Sequence, residues 1–141
     1  MTGSGMLAKH RGEWTGADCL AVARLICDPA TNGGSVTPAT PEEVAPLIPD
    51  APALGLFDDA GRCAFVVGLN PYDPAIPRGV LHVAGDGRVR EAWRVVRAFL
   101  DALPQVEVFS LTPSPALARL AGRAGLTVIG EQDGHLILGR V

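Results

Sequence analysis

The chain of 141 residues has the size of one ordinary domain, so a two-domain enzyme with a cleft between lobes is not expected. Hydrophobic residues make up 48% of the sequence and charged residues 19%, which excludes a disordered chain and supplies apolar side chains for one core. The 12 basic and 15 acidic residues give a formal net charge of -3. A broad basic face that would bind the phosphates of nucleic acid is therefore not expected.

The sequence also predicts neither a membrane-spanning segment nor a metal site. No apolar run approaches the roughly 18 to 20 residues that cross a bilayer, which predicts a soluble, cytoplasmic protein. The cysteines Cys19, Cys27 and Cys63 form no Cys-x-x-Cys pair, so neither a disulfide framework nor a structural zinc site is expected. His10 and His135 fit no metal-ligand spacing either. Residues 1–6 are interpreted as a flexible leader and residues 7–141 as a single domain.

The N-terminal half alternates periodic apolar segments with loops that contain helix and strand breakers. Thr40, followed by Pro41 and then by Glu43 three residues after the cap, forms a capping box. The run from Cys63 to Leu69 is apolar throughout, which predicts a strand that is buried on both faces. The predicted elements are a helix over 16–26, a loop over 28–40, a helix over 40–48 and a hairpin of strands over 54–57 and 63–69. Whether residues 7–14 form a further strand is left open.

The C-terminal half begins with a short strand that ends at Gly85-Asp86-Gly87. Apolar residues from Val89 to Leu103 lie on one helical face, which predicts the strongest helix of the chain. The predicted elements are strands over 78–84 and 106–111, helices over 89–103 and 114–125, and a terminal hairpin of strands over 126–130 and 135–141. This order predicts a mixed α/β class, with a single, mostly antiparallel sheet and helices on both of its faces.

The segment from Leu54 to Val141 resembles the GNAT fold of acyl-CoA-dependent N-acyltransferases. The clearest local similarity is the tail, where Ser-Pro-Ala-Leu-Ala-Arg-Leu-Ala-Gly-Arg-Ala-Gly-Leu over 114–126 is similar to the family's final helix and the strand pair that follows it. The same tail resembles the short, divergent GNAT-like proteins of tailed phages. The resemblance implies a GNAT fold and either acetyl-CoA as cofactor or a role in a phage or phage-like particle.

In active family members, a turn of the pattern Arg/Gln-x-x-Gly-x-Gly/Ala holds the pyrophosphate of CoA with its backbone amides. The matching stretch here runs from Ala84 to Val89; Gly87 fits the pattern, whereas Ala84 and Val89 depart from it. Asp86 brings a negative charge that would repel a pyrophosphate unless it points away or Arg88 and Arg90 offset it. The candidate cofactor-binding residues implied by the resemblance are Gly85, Gly87, Arg88, Val89 and Arg90.

The resemblance leaves the catalytic residues unassigned. Where the family places a tyrosine that protonates the leaving thiolate, this chain has Ala121, and its only tyrosine is Tyr72 in a loop. The candidates are therefore His82, Glu107 and Tyr72, together with Asp73 from the same loop. A half-exposed strand histidine without a catalytic role is the alternative for His82. No Gly-x-Ser-x-Gly motif is present, and Cys63 is interpreted as a core residue rather than a reactive thiol.

Two functional hypotheses remain open. The first is a GNAT-like domain that has lost catalysis and serves as a binding or structural module, and the alternative is an active acyl-CoA-dependent N-acetyltransferase. Arg88, Arg90, Arg94 and Arg97 form a basic stripe that either binds an acidic group or is a solvated helix face. The Pro-rich and Gly-rich loops over 32–52 and 70–77 are long for so small a domain. They favour a protein partner or self-association.

Overall fold

The computed structural model describes residues 6–28, 39–71, 78–103, 107–112 and 115–140. The helices are α1 Gly16–Cys27, α2 Pro41–Val44, α3 Ala92–Asp101 and α4 Pro115–Arg123. The strands are β1 Leu7–His10, β2 Ala53–Phe57, β3 Cys63–Pro71, β4 Arg78–Gly85, β5 Glu107–Thr112, β6 Thr127–Gln132 and β7 His135–Arg140. Short 3-10 helices cover Arg11–Glu13 and Ala45–Leu47.

The described strands are hydrogen-bonded in the order β1-β2-β3-β4-β5-β7-β6. The pairings β1–β2, β2–β3, β5–β7 and β6–β7 are antiparallel, and β4 pairs with β5 in parallel. The parallel pairing runs from Arg78 opposite Glu107 to Val80 opposite Phe109. The predicted mixed α/β class with a single, mostly antiparallel sheet and helices is therefore confirmed.

The chain groups into two compact units. The first comprises Met1–Gly68 with His82–Arg90, and the second comprises Leu69–Leu81 with Glu91–Val141. Each unit has its own set of buried apolar side chains. The leader over 1–6 and the single domain over 7–141 stay predictions.

The core of the first unit is built around Trp14 and Phe57. Their rings meet edge to face with centroids 6.2 Å apart, and the indole Nε1 of Trp14 donates a 3.0 Å hydrogen bond to the carbonyl oxygen of Lys9. Cys63 packs in the same cluster and is buried, as the sequence predicted, and burial raises the pKa of its thiol to about 12. The other buried members of the cluster are Ala21, Val22, Leu25, Val66 and Ala84.

The start of α1 is fixed by a capping box that the sequence analysis did not identify. The Thr15 hydroxyl accepts a hydrogen bond from the Asp18 amide at 3.1 Å, and the Asp18 carboxylate accepts one from the Thr15 amide at 3.0 Å. Asp18 is buried and forms a 3.2 Å ion pair with Lys9. Burial by itself would raise the pKa of Asp18, but the Thr15 amide and Lys9 together lower it below its ordinary value.

The capping box predicted at Thr40 is present, but the α-helix that follows it is shorter than expected. The Glu43 amide donates to the Thr40 hydroxyl at 3.2 Å, and the Thr40 amide donates to the Glu43 carboxylate at 3.3 Å. The α-helix ends at Val44 and continues as a 3-10 helix to Leu47. Pro46 has no amide hydrogen to donate back along the chain, so α-helical hydrogen bonding stops there. At the N-terminus, the strand left open over 7–14 forms only over Leu7–His10.

The second unit contains the amphipathic helix α3, which buries Val96, Phe99 and Leu100. The guanidinium of Arg140 on β7 binds the C-terminal end of this helix, where it donates to the carbonyl oxygens of Leu100, at 2.6 Å, and Leu103. The Leu100 carbonyl also accepts the Leu103 amide at 2.9 Å, and a cation is favoured beside the carbonyl groups at a helix C-terminus.

The C-terminal hairpin is tighter than predicted. Its loop contains only Asp133 and Gly134, because β6 extends to Gln132 and β7 begins at His135. Both loop residues have positive φ, 51° and 80°, which suits an Asp-Gly pair in a two-residue turn. Helix α4 ends at Arg123, and Gly125, two residues further on, takes the φ of 103° that glycine permits just after a helix C-terminus.

Candidate cofactor-binding turn

The turn that the family resemblance assigned to cofactor binding connects β4 to α3 and spans Gly85 to Arg90. The Asp86 amide donates a 3.0 Å hydrogen bond to the Ala64 carbonyl oxygen, and Gly87 has a φ of 89°. The candidate residues Gly85, Gly87, Arg88, Val89 and Arg90 therefore lie together in one turn, as the sequence predicts for a contiguous segment. Within it, Val89 is half-buried, and Gly87, Arg88 and Arg90 are exposed.

Helix α3 begins at Ala92, three residues later than predicted, and ends at Asp101 rather than Leu103. The late start has a backbone cause. Glu91 takes a left-handed conformation with φ 52° and ψ 44°, which interrupts right-handed helix geometry. Arg88 and Arg90 therefore lie in the turn and not on the helix, so the predicted basic stripe is not continuous along one helix face.

Asp86 and Arg88 bind each other within the turn. One oxygen of the Asp86 carboxylate accepts the Arg88 backbone amide at 3.0 Å, and the other accepts Nε of the Arg88 guanidinium at 2.8 Å. The Asp86 charge is thus offset by Arg88, one of the two arginines expected to do so. Arg90 makes no ion pair in the described part of the chain.

A second carboxylate, that of Asp58, also holds Arg88. Nη1 of Arg88 lies 2.8 Å from the Asp58 carboxylate, which comes from the turn between β2 and β3. The same carboxylate accepts hydrogen bonds from the Ala60 amide at 2.9 Å, the Arg62 amide at 2.9 Å and the Arg62 Nε at 3.0 Å. Only 13% of the Asp58 side chain is exposed. Sequence reasoning did not identify Asp58, because it precedes Arg88 by 30 residues and reads as an ordinary turn residue.

These contacts shift the pKa values of both partners. The Arg88 hydrogen bond, with the hydrogen bonds and charge of the Arg62 and Ala60 turn, lowers the pKa of Asp58 from its ordinary value of 3.8 to about 2. The carboxylates of Asp58 and Asp86 in turn raise the pKa of Arg88. The group formed by Asp58, Arg62, Asp86 and Arg88, named here the Arg88 clamp, carries two negative and two positive charges and no net charge.

Three backbone amides of the turn remain available. The amides of Gly87, Val89 and Arg90 donate no hydrogen bond to any residue that the structure describes. Gly85 has a packing role, since a Cβ atom placed on it would lie 2.9 Å from Cδ1 of the buried Phe65 ring. At Gly87, by contrast, an added Cβ would meet no atom within 4 Å.

The candidate catalytic residues are only partly described. His82 lies exposed on β4, and desolvation by the surrounding chain lowers its pKa below the usual value for histidine. Glu107 is the first residue of β5, in register with Arg78. Tyr72 and Asp73 lie outside the described residues. Ala121, at the position where the resemblance expects a tyrosine, is half-buried on α4.

The remaining charges of the predicted basic stripe lie on α3. Arg94 forms a 3.2 Å ion pair with Glu91 and stacks 5.3 Å from the Trp93 ring, and Arg97 is exposed. In the described ranges, no cluster of three or more His, Cys, Asp or Glu residues could hold a metal ion. No helix found in those ranges is long and apolar enough to cross a membrane.

The low pKa of Asp58 predicts a defined response to acid. A carboxyl group with a folded-state pKa below its unfolded value stabilises the fold above the unfolded pKa, and this contribution is lost as the pH falls through the folded value. We therefore expect Asp58→Asn to lower the Tm at pH 7. The difference from the wild-type chain should shrink as the pH falls from 4 to 2 and vanish below pH 2, as followed by circular dichroism melts.

The matched control is Asp59→Asn, because Asp59 is the exposed neighbour and makes no hydrogen bond or ion pair with the residues described. Its melting curve should follow the wild-type curve at every pH. A Tm difference for Asp58→Asn that stays constant from pH 7 to pH 2 would contradict the assignment.

Comparison with known proteins gives matches in structure and not in sequence. No protein-family model and no curated protein matches the chain. A ribosomal-protein-S5-alanine acetyltransferase from Vibrio fischeri matches with a TM-score of 0.72 at 12% identity, over 97% of this chain and 93% of that protein. A chimera of the spermidine N-acetyltransferase from Vibrio cholerae matches with a TM-score of 0.72 at 11% identity, over 97% of this chain and 95% of that protein.

An acetyltransferase of the GNAT family from Streptococcus pneumoniae matches with a TM-score of 0.66 at 13% identity, over 96% of this chain and 98% of that protein. TM-scores of 0.66 to 0.72 over nearly the full length of each chain, at identities of 11% to 13%, identify a shared fold and no more than that. The chain has the fold of the GNAT acetyltransferases.

Proposed function

We propose that this chain is a GNAT-fold binding module that does not catalyse acetyl transfer. The observation that carries the proposal is the Arg88 clamp. A turn that holds a pyrophosphate needs unpaired donors and positive charge. Here the Arg88 amide and guanidinium are already bound by the carboxylates of Asp86 and Asp58. Asp86, Asp58 and the Arg88 side chain that they hold therefore do not fit the pyrophosphate of CoA.

The catalytic side supports the same proposal. Ala121 has no proton to give to a leaving thiolate, so the general acid that the resemblance calls for is missing at this position. Among the described candidates, the His82 side chain is exposed and makes no hydrogen bond or ion pair with the described residues. General acid–base catalysis requires a group that is held within hydrogen-bond reach of its proton partner.

The proposed partner of the module is another protein chain or a second copy of this one. The Pro-rich and Gly-rich loops over 32–52 and 70–77 are the proposed contact segments, because long loops in small domains are frequently binding surfaces. The tail's resemblance to short phage proteins supports a phage or phage-like particle as the setting. Residues 32–38 and 72–77 lie outside the described residues, and the described part of the first segment contains α2 and the 3-10 helix Ala45–Leu47.

An active acyl-CoA-dependent N-acetyltransferase is the second candidate function. The free amides of Gly87, Val89 and Arg90 favour it, since they lie in the turn before α3 and could receive phosphate oxygens. The matched structures, which are named as acetyltransferases, support it by analogy of fold.

Calorimetric titration of the purified chain with acetyl-CoA separates the two functions. The binding module is expected to bind with a Kd weaker than about 1 mM, or roughly -4 kcal/mol. A micromolar Kd that Gly87→Glu abolishes would overturn the proposal and establish the turn as a cofactor site. A Cβ at Gly87 meets no atom within 4 Å, and Gly87→Ala is the control, because it carries the same backbone strain at a φ of 89° without the added charge.

A further inference from the structure

We infer that Asp86 and Asp58 serve as resident anions of the β4–α3 turn and make it an autoinhibited anion site. The inference rests on the proposed function and gives its physical cause. Asp86 occupies the donors that a phosphate group would take, and Asp58 fixes Arg88 in the position where Asp86 holds it. Removal of Asp86 is then expected to convert a turn that excludes pyrophosphate into one that binds it.

The contacts of Asp86 are those that a phosphate group makes. Its two carboxylate oxygens accept one backbone amide, at 3.0 Å, and one guanidinium nitrogen, at 2.8 Å, both from Arg88. Phosphate oxygens bind the same pair of donors, a main-chain amide and a guanidinium. A pyrophosphate would therefore have to displace a covalently attached carboxylate whose effective concentration is that of an intramolecular ligand.

Asp58 makes that displacement harder. Its carboxylate is fixed by the Ala60 and Arg62 amides and by the Arg62 guanidinium before it meets Arg88. Arg88 is thus bound from two sides, and a phosphate arriving at its guanidinium would meet two negative charges within a few ångströms. Repulsion between like charges at such separations opposes the binding of the phosphate.

The turn retains what an anion site needs once Asp86 is gone. The amides of Gly87, Val89 and Arg90 have no acceptor among the described residues. The side chain of Arg90 is exposed and makes no ion pair there, and the space around Gly87 is open. Without the Asp86 carboxylate, the Arg88 amide joins these donors and the net charge of the clamp rises by one.

The test is titration of folded variants with inorganic pyrophosphate at low ionic strength. We expect Asp86→Ala to bind pyrophosphate at least tenfold more tightly than the wild-type chain. The matched control is Asp59→Ala, which makes the same change in net charge in the neighbouring turn but releases no donor. It should bind like the wild-type chain, and the double variant Asp86→Ala/Arg88→Ala should lose the gain.

Equal pyrophosphate binding by Asp86→Ala, Asp59→Ala and the wild-type chain would overturn the inference. If Asp86→Ala fails to fold, Asp86→Asn replaces it, because the asparagine oxygen still accepts the Arg88 amide, whereas the charge and the acceptor for the Arg88 Nε are lost; a gain below twofold would then overturn the inference. The acetyl-CoA titration of the wild-type chain decides the proposed function separately. If the wild-type chain does not bind acetyl-CoA and Asp86→Ala gains no affinity for pyrophosphate, the inference of an autoinhibited site is overturned and the proposed function stands.

Discussion

Replacement of Phe57 by alanine is expected to lower the free energy of unfolding by about 3–5 kcal/mol, the range for removal of a buried aromatic ring. Phe57 is 2% exposed, and its ring meets the Trp14 ring edge to face. The ammonium of Lys9 lies 5.4 Å from its centroid. The substitution therefore removes ring contacts and also leaves a cavity between β2 and the Trp14 side chain. Urea unfolding at pH 7, followed by circular dichroism, measures the loss.

Leu47→Ala provides the control, because it truncates a large apolar side chain that is 76% exposed. An exposed side chain contributes little to the core, so the expected change is within about 0.5 kcal/mol. If Phe57→Ala costs no more than Leu47→Ala, the Trp14 and Phe57 cluster is not the core of the first unit.

The elements that the sequence predicted well are those whose cause is local. The capping box at Thr40 depends on residues three positions apart, and the buried strand from Cys63 depends on an unbroken apolar run. The Asp-Gly turn of the C-terminal hairpin was located within a wider loop because both residues tolerate positive φ. Interactions between residues that are close together in the chain can therefore be predicted from the sequence alone.

The features that the sequence could not predict depend on tertiary structure or on a rare backbone conformation. Glutamate seldom adopts the left-handed conformation that Glu91 takes, and nothing in the sequence signals it. The apolar periodicity therefore predicted a helix that begins at Val89, whereas α3 begins at Ala92. The Asp58–Arg88 contact joins two turns that are brought together by the pairing of strands, and no spacing rule relates residues 30 positions apart.

The candidate turn also combines a local feature that the sequence predicts with a tertiary contact that it does not predict. The sequence analysis predicted that the Asp86 charge would repel pyrophosphate and that Arg88 could offset it, because the two residues are only two positions apart. That Arg88 is bound from a second side by Asp58 follows only from the fold. The resulting clamp, rather than the mismatched glycine pattern, is the strongest physical argument against a CoA site in this turn.

Gly85→Val is expected to lower the free energy of unfolding by about 1–3 kcal/mol, the usual cost of overpacking a well-packed core. The resemblance implies that Gly85 is a cofactor residue, which stays a prediction, and the structure shows that Gly85 packs closely against Phe65. A Cβ there would lie 2.9 Å from the Phe65 ring, which is 4% exposed and has little room to move. Thermal or urea unfolding measures the loss, and Gly12→Val is the control, since no atom lies within 4 Å of a Cβ at Gly12.

A double-mutant cycle with Phe65→Leu tests whether the ring is the cause. If the Phe65 ring is what excludes a side chain at position 85, its replacement by the smaller leucine creates space, and the two substitutions together cost less than the sum of their separate costs. A coupling of at least about 0.5 kcal/mol is expected for residues in direct contact. Strict additivity would mean that the glycine is required for another reason, such as the path of the backbone into the Asp86 turn, because two residues that clash directly have substitution costs that depend on each other.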